Sequence, residues 1–411
     1  MIKAFVLQSP EKRKLVFAQG GQSDKKKWGS VMKYRQLGKT DMTVSEVALG
    51  CEGMIGAAPQ LVDALVKTAL DSGMNFLDIF CAEPDVRDNV GVSLKGRRQE
   101  MYIQGHIGSC WRDGQYLRSR EAQHVKPAFE DLMARLGTDY LDVGVIHYVD
   151  NDPDYDTVFN GWFIDYVLAL KKTGHIRYTG LSSHNPVTAL RAVKSGLIDV
   201  LLFSVNPCYD LQPPREEFDE IWKPENYQTA LTWDPVREEL YRTCEARGVG
   251  LVVMKAFGGG DLLDARWSPF GVAMQPEHCL HYALTRPAAA CVVGGFRSAE
   301  EVLVSARYSF LSDEQRDYAP FLAKVPHSYK GKCIYCGHCA PCSVGINIAM
   351  VNKFHDLTRT QETVPASVRD HYRLLDHHAG ECIACGQCED NCPFDVPIIE
   401  KMSQAAEVFG Y

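Results

Sequence analysis

Two runs decide the fold: Val200-Leu201-Leu202-Phe203-Ser204-Val205 and Leu251-Val252-Val253-Met254-Lys255-Ala256. Both are nearly continuous apolar stretches without a polar alternate face, the pattern of strands covered by helices on both sides. Working outward, similar runs recur at Val44–Gly50, Asn75–Phe80, Met101–Ile107, Leu141–His147, Ile176–Ser182 and Cys291–Gly294. Helical stretches separate them: Leu61–Ser72, Asp85–Lys95, Glu121–Leu136, Phe159–Lys172, one after Pro186, Asp234–Arg247, one after Pro276 and one from Ser298. Eight such units predict an α/β chain closed into a (β/α)8 TIM barrel, with its chemistry at the C-terminal strand ends.

Beyond the last unit stand two cysteine runs: Cys333, Cys336, Cys339 and Cys342, then Cys382, Cys385, Cys388 and Cys392, with Pro393 after the last. A thiolate at every third position wraps three irons of a cubane, and in two-cluster bacterial ferredoxins the fourth ligand comes from the other run. The expected pairing is Cys333, Cys336 and Cys339 with Cys392 on one [4Fe–4S] cluster, and Cys382, Cys385 and Cys388 with Cys342 on a second. The Pro that should follow Cys342 is replaced by Ser343. Zinc sites of this class use two C-x-x-C pairs per metal rather than four evenly spaced thiols followed by Cys-Pro. Disulfides need an oxidising compartment, and no charged-then-apolar signal segment is present.

These features divide the 411 residues into an N-terminal extension (1–31), a barrel (32–315) and a small α-helical ferredoxin-like domain (316–411). In the extension, Ile2–Leu7 and Lys14–Ala18 read as a hairpin around Ser9-Pro10-Glu11. One connection, Pro207 to about Trp233, is long enough to be a lid, a binding loop or a plain surface insertion. Pro320–Lys332 reads as a linker, and Asn347–Asp356 and Arg369–Leu375 as short helices between the cysteine runs. Lys plus Arg number 44 against 52 Asp plus Glu, a net charge of −8 that argues against a nucleic-acid partner. No apolar run approaches the about 18 residues that span a bilayer. The other cysteines (51, 81, 110, 208, 244, 279 and 291) are expected to be reduced and buried, as in a cytoplasmic protein.

The phrase Lys33-Tyr34-Arg35-Gln36-Leu37-Gly38-Lys39-Thr40 followed by Val44-Ser45-Glu46-Val47-Ala48-Leu49-Gly50 resembles the opening of aldo-keto reductases. So do Asn75-Phe76-Leu77-Asp78, the run from Leu136-Gly137-Thr138-Asp139-Tyr140-Leu141-Asp142 into His147, and Gly174-His175-Ile176-Arg177-Tyr178-Thr179-Gly180-Leu181-Ser182. With its cysteine tail, the chain is similar to the branch of that family carrying a C-terminal ferredoxin domain. The resemblance implies a carbonyl reduction in which a Tyr gives a proton, NADPH gives hydride, and a Lys, an Asp and a His tune the Tyr. Carried onto this chain, the Asp is Asp78 and the His is His147, but the Tyr position holds Glu83 and the Lys position holds His106. The Ser-Asn pair that holds the nicotinamide amide is Ser182-Ser183, the Gln of the sixth strand is Leu202, and the Glu-Asn pair of the last helix is Val304-Ser305. Arg297, in Gly295-Phe296-Arg297-Ser298, keeps a phosphate-loop look, and Gly258-Gly259-Gly260 beside Lys255 offers backbone N–H groups to an anion. These departures put NAD(P)H binding in doubt.

Three readings of Asp78, Glu83, His106 and His147 stand open. They form an acid–base set with Glu83 as the proton donor, or hold a divalent metal at the barrel mouth, or are inert. His184 and Asn206 are further strand-end candidates, and Cys81 faces either the mouth or the helix behind it. The resulting expectation is an iron–sulfur oxidoreductase passing electrons from a one-electron donor such as ferredoxin or flavodoxin, through two clusters, to a small-molecule substrate at the mouth. The alternatives are an NAD(P)H-dependent carbonyl reductase with an altered proton donor, and a non-catalytic electron-transfer protein.

Overall fold

The computed structural model describes residues 32–211, 234–266, 268, 270–323, 331–358, 364 and 366–411. The expected N-terminal hairpin, most of the long connection and much of the linker lie outside these residues. The chain begins with an antiparallel pair, β1 (Tyr34–Gln36) and β2 (Thr43–Ser45). The parallel strands are β3 (Val47–Gly50), β4 (Phe76–Ile79) and β5 (Tyr102–Ile107), then, after the antiparallel hairpin β6 (Ser109–Arg112) and β7 (Gln115–Arg118), β8 (Leu141–Ile146). β9 (Ile176–Ser183), β10 (Val200–Ser204), β11 (Gly250–Met254) and β12 (Ala289–Gly294) complete a closed barrel, with β12 pairing back onto β3.

The β1–β2 hairpin plugs the N-terminal end of this barrel. Leu37, Met42 and Val44 are fully buried and pack with the inward residues Phe76, Val143, Val145, Val200, Leu202 and Val252. Gly38 at the tip (φ 55°) lies so close to β11 that a Cβ there would sit 2.3 Å from the Gly250 nitrogen, so no side chain is tolerated. Asp142 staples the same end. It accepts from Arg98 (3.1 Å), from Arg177 (2.7 Å) and from the Ile103 backbone N–H (2.9 Å), joining β5, β8 and β9. With the bottom closed by apolar side chains, polar inward residues are left for the opposite end.

Two expected elements differ in detail, and one element is additional. The run from Val44 breaks at Glu46, whose carboxylate binds Arg35 (2.8 Å), so β2 and β3 belong to different sheets. The helix expected over Phe159–Lys172 begins instead at Trp162, after a separate helix Asp152–Phe159, because Asn160 and Gly161 end one and start the other. The β6–β7 hairpin was not expected at all.

The C-terminal region is helical, with Ile348–Thr358, Ala366–Arg373 and Ile398–Phe409 around the cysteine segments. It rests on the outside of the barrel against helix Pro235–Arg247. Asp356 lies 3.5 Å from Arg242 and 3.6 Å from Lys401, and accepts from the Tyr335 hydroxyl at 2.8 Å.

Candidate functional site

The strand period places the mouth residues. In β5 the inward positions alternate, so Gln104 and His106 share the interior with Phe76 and Asp78 of β4. In β8, Val143 and Val145 point the same way and His147 continues that face just past the strand end. Asp78, His106 and His147 are 3%, 4% and 6% exposed, so each polar atom must find a partner inside the protein.

They find one another. Gln104 Nε2 donates to Asp78 Oδ1 at 2.7 Å, and His106 Nε2 lies 3.1 Å from the same oxygen. His106 Nδ1 lies 2.7 Å from His147 Nδ1, and His147 Nε2 lies 2.8 Å from the hydroxyl of Tyr116. The partners dictate the tautomers for an ionised Asp78. His106 donates from Nε2 to the carboxylate, His147 donates from Nδ1 to His106 Nδ1, and the Tyr116 hydroxyl donates to His147 Nε2. Burial, then the neighbouring His106, Arg120, Arg118 and His184, hold the His147 pKa well below its ordinary value, so the His147 imidazole is neutral. The result is an unbroken hydrogen-bonded wire from a buried carboxylate to a phenol.

Tyr116 comes from β7 and is 44% exposed, at the rim of the mouth. The desolvation of its surroundings, with the neighbouring Tyr148, pushes its pKa up despite Arg118 and Arg120, so the phenol stays protonated at neutral pH. Its position is fixed from two sides. Arg87 binds the Cys81 carbonyl (3.1 Å) and the Ser109 carbonyl (3.3 Å), and Ser109 Oγ donates to the Phe80 carbonyl (2.7 Å) at the hairpin base. Arg118, two residues from Tyr116 on the same strand face, donates to the Tyr148 carbonyl (3.1 Å) and to Asp154 (2.7 Å). Arg120 binds Asp154 and the carbonyls of His147 and Tyr148, all within 2.8 Å.

Glu83 is not joined to the wire. It precedes helix Pro84–Ser93 as its N-cap, half-buried, and among the described residues its carboxylate bonds to none of Asp78, His106 or His147. Nor, among the described residues, do Asp78, Glu83, His106 and His147 gather as a mononuclear metal ion requires. Cys81 turns its sulfur towards Cys51 (2.8 Å). That contact, then burial and nearby negative groups, pushes its thiol pKa far up, which makes it unreactive.

A second carboxylate–imidazole chain stands across the mouth. Asp150 accepts from the His184 backbone N–H (2.6 Å), from His184 Nδ1 (2.8 Å) and from the Ser183 hydroxyl (3.0 Å). Burial opposes its charge, but His184 and these hydrogen bonds bring its pKa down to about 2. His184 Nε2 then faces Lys255 Nζ at 3.2 Å, and burial followed by the Lys255 charge holds His184 neutral. Lys255 sits at φ 60°, a strained left-handed position for a residue with a Cβ, kept there by Asn206 Nδ2 and the Gly258 N–H bonding its carbonyl at 2.9 Å each.

The positions expected to hold a nicotinamide cofactor are engaged elsewhere. Ser183 is fully buried and donates to the Val149 carbonyl (2.8 Å). The Gly258 and Gly260 N–H groups close turns onto Lys255 and Phe257, while Gly259 (φ 69°) lies between them. The Arg297 N–H donates to Glu301 Oε2 (2.8 Å), so a carboxylate occupies the backbone position a phosphate would use, while the Arg297 side chain is exposed.

In the cysteine region, Cys342, Cys382, Cys385 and Cys388 line one hollow, with Ile346, Ile348, Ile399 and Met402 behind them. Cys333, Cys336 and Cys339 neighbour one another. Burial raises the thiols of Cys336 and Cys339, and the charge of Cys392 adds to the rise in both. Soft thiols in two sets of four, one around a hollow, fit iron–sulfur clusters.

Residues 56–272 match the aldo/keto reductase family, and residues 332–397 match a 4Fe-4S dicluster domain. The chain belongs to the aldo/keto reductase family. It is an oxidoreductase of that family with an iron–sulfur domain following its barrel. The uncharacterized oxidoreductase YqkF of Bacillus subtilis (strain 168) is 27% identical over 298 residues, which are 66% of this chain and 89% of that protein. The aldo-keto reductase AKR11C1 from Bacillus halodurans, in its holo form, shares the fold at a TM-score of 0.55 and 24% identity, over 72% of this chain and 98% of that one. No helix among the described residues is long and apolar enough to cross a membrane.

Proposed function

We propose that this protein reduces a small molecule at the barrel mouth with electrons delivered through two [4Fe–4S] clusters, and that Tyr116 is the proton donor. The observation that carries the reading is the wire Asp78–His106–His147–Tyr116, because a buried polar chain with every link bonded is a path for protons. Iron–sulfur clusters, when bound by the two sets of cysteines, supply one-electron storage and transfer. The donor is a reduced one-electron carrier of the ferredoxin or flavodoxin class, and cytoplasmic thiol conditions suit the cysteine set.

The wire works by reversing its polarity. In the loaded state the Asp78 carboxylic acid donates to His106 Nε2, His106 Nδ1–H to His147 Nδ1, and His147 Nε2–H to the Tyr116 oxygen. The phenol hydrogen then points at the substrate. When Tyr116 gives up that hydrogen, each proton moves one link outward and Asp78 is left ionised, with no charge stranded on an imidazole. Two electrons from the carrier and two protons, one through Tyr116 and one from water at the open mouth, convert the substrate to its dihydro form. Lys255, held by His184, orients an electron-rich substrate atom on the opposite side.

The engaged Ser183 hydroxyl and the engaged Gly258, Gly260 and Arg297 N–H groups do not fit a nicotinamide dinucleotide, so hydride transfer has no part in this reading. The test is anaerobic turnover over a panel of aldehydes, ketones and enones, driven either by reduced methyl viologen or by NADPH. Turnover with viologen that is abolished in His106→Ala supports the reading; turnover with NADPH alone overturns it.

A further inference from the structure

The two cysteine sets have opposite surroundings. Cys385 is exposed and Cys382 half-buried, and the charge of Glu389 raises the Cys388 thiol after burial has done so. The other set is built against the barrel. Ile334, next to Cys333, offers its carbonyl to Arg286 Nη2 (2.6 Å) and to the Tyr318 hydroxyl (2.8 Å). Arg286 is 1% exposed, lies over the Tyr282 ring at 4.4 Å and faces the Tyr335 ring at 5.7 Å. A buried guanidinium thus sits one peptide unit from a cluster ligand. Lys332, which precedes Cys333, lines the same side and pairs with Glu238. The opposing charges there are engaged: Glu238 also with Arg242, Asp356 with Arg242 and Lys401, Asp317 with His338 (2.8 Å), and Asp210, whose charge also reaches Arg286, with the hydroxyls of Tyr241 (2.5 Å) and Tyr282 (2.6 Å).

From this set a continuous path runs to the mouth. Tyr318 packs edge-on against Tyr282 (5.3 Å between ring centres), and Tyr282 donates to Asp210 at 2.6 Å. The Asp210 N–H donates to the Asn206 carbonyl (3.1 Å), and Asn206 Nδ2 donates to the Lys255 carbonyl. Tyr282, Tyr318, Asp210 and Asn206 are all fully buried. The barrel-facing set is therefore the one positioned to serve the substrate.

We propose that Arg286 holds the cluster of Cys333, Cys336, Cys339 and Cys392 at a higher reduction potential than the cluster of Cys342, Cys382, Cys385 and Cys388, so that electrons entering at the exposed hollow run towards the barrel. The proposal rests on the two-cluster reading above. The physical cause is Coulombic: gaining an electron makes a thiolate-bound cluster more negative, and a buried cation beside it favours that state. Each transfer moves one electron, from the reduced carrier to the exposed set and from there to the barrel-facing set, and leaves the carrier oxidised by one electron.

EPR-monitored redox titration of the anaerobically purified full chain tests this without any substrate. Arg286→Met is expected to lower the more positive of the two potentials by at least the equivalent of about a tenfold change in electron partition, which is about 59 mV for a one-electron couple. The more negative potential stays where it was, and Arg286→Lys restores most of the shift. Lys332→Gln, at a partly exposed position, moves the same couple in the same direction by less, and it reports even where Arg286→Met fails to load iron. Unchanged potentials in iron-replete variants, or a shift confined to the more negative couple, overturn the proposal. A failure of the proposed function would instead appear as intact, correctly ordered potentials with no viologen-driven turnover.

Discussion

Two carboxylate–imidazole chains stand at the mouth, and they end differently. Asp78–His106–His147 finishes in the phenol of Tyr116, a group that holds a proton it can release. Asp150–His184 finishes in the ammonium of Lys255, whose backbone is strained and whose position is fixed by Asn206 and Gly258. In the first, every ring between carboxylate and rim donates on one side and accepts on the other, so a proton can move through it. In the second, the His184 backbone N–H and Nδ1 both bind Asp150, which locks the ring in one tautomer and suits it to holding a cation still. Similar carboxylate–imidazole parts thus give a conduit on one side and a clamp on the other.

Cutting the conduit should have the larger effect. His147→Phe fills the volume but severs the wire, and viologen-driven kcat should fall by about 10²–10⁴-fold, the range for losing general acid catalysis. Lys255→Met removes one charge-assisted contact from the clamp, and steady-state kinetics should show about a tenfold loss of kcat/KM. Equal losses in the two variants would erase the distinction between conduit and clamp.

Acid should weaken the fold through the imidazoles of both chains. The pKa values of His147 and His184 are lowered in the folded state, so below about pH 6.5 the unfolded chain binds more protons than the folded one. The stabilisation from neutral burial is complete above that pH and is lost as the pH falls towards the folded values, by up to about 1.4 kcal/mol per pH unit for each histidine. Urea unfolding at near-neutral pH and at about pH 5 should show this loss, and His184→Asn should make it shallower. An unchanged slope would mean that the His184 charge is already accommodated.

The sequence made most of this legible where regular secondary structure carries it. Apolar runs bounded by helices located each barrel strand, and strand alternation with the family motifs brought Asp78, His106 and His147 to the mouth. Tyr116, the proton donor proposed above, was not among the sequence candidates because it lies outside the barrel strands. Tyr116 reaches the wire from a hairpin whose tip is Asp113-Gly114 (φ 51° and 76°), a two-residue turn that strongly signals a hairpin between Cys110-Trp111 and Tyr116-Leu117. The family resemblance places the acid at Glu83, five residues after Asp78, a position that caps helix Pro84–Ser93. The terminal helix Ile398–Phe409 was also readable, since Ile398, Met402, Ala405 and Phe409 form one buried stripe. The second chain was less accessible, because Asp150 and His184 lie far apart in sequence and meet through loops after β8 and β9.

The most direct test compares Tyr116→Phe with Glu83→Gln in viologen-driven turnover, with iron content measured on the same preparations. Tyr116→Phe should retain its iron and lose about 10²–10⁴-fold in kcat, while Glu83→Gln should stay within about twofold of the parent protein, the scale of a neutral surface substitution. An active Tyr116→Phe beside an inactive Glu83→Gln would contradict the account and return the proton to the carboxylate.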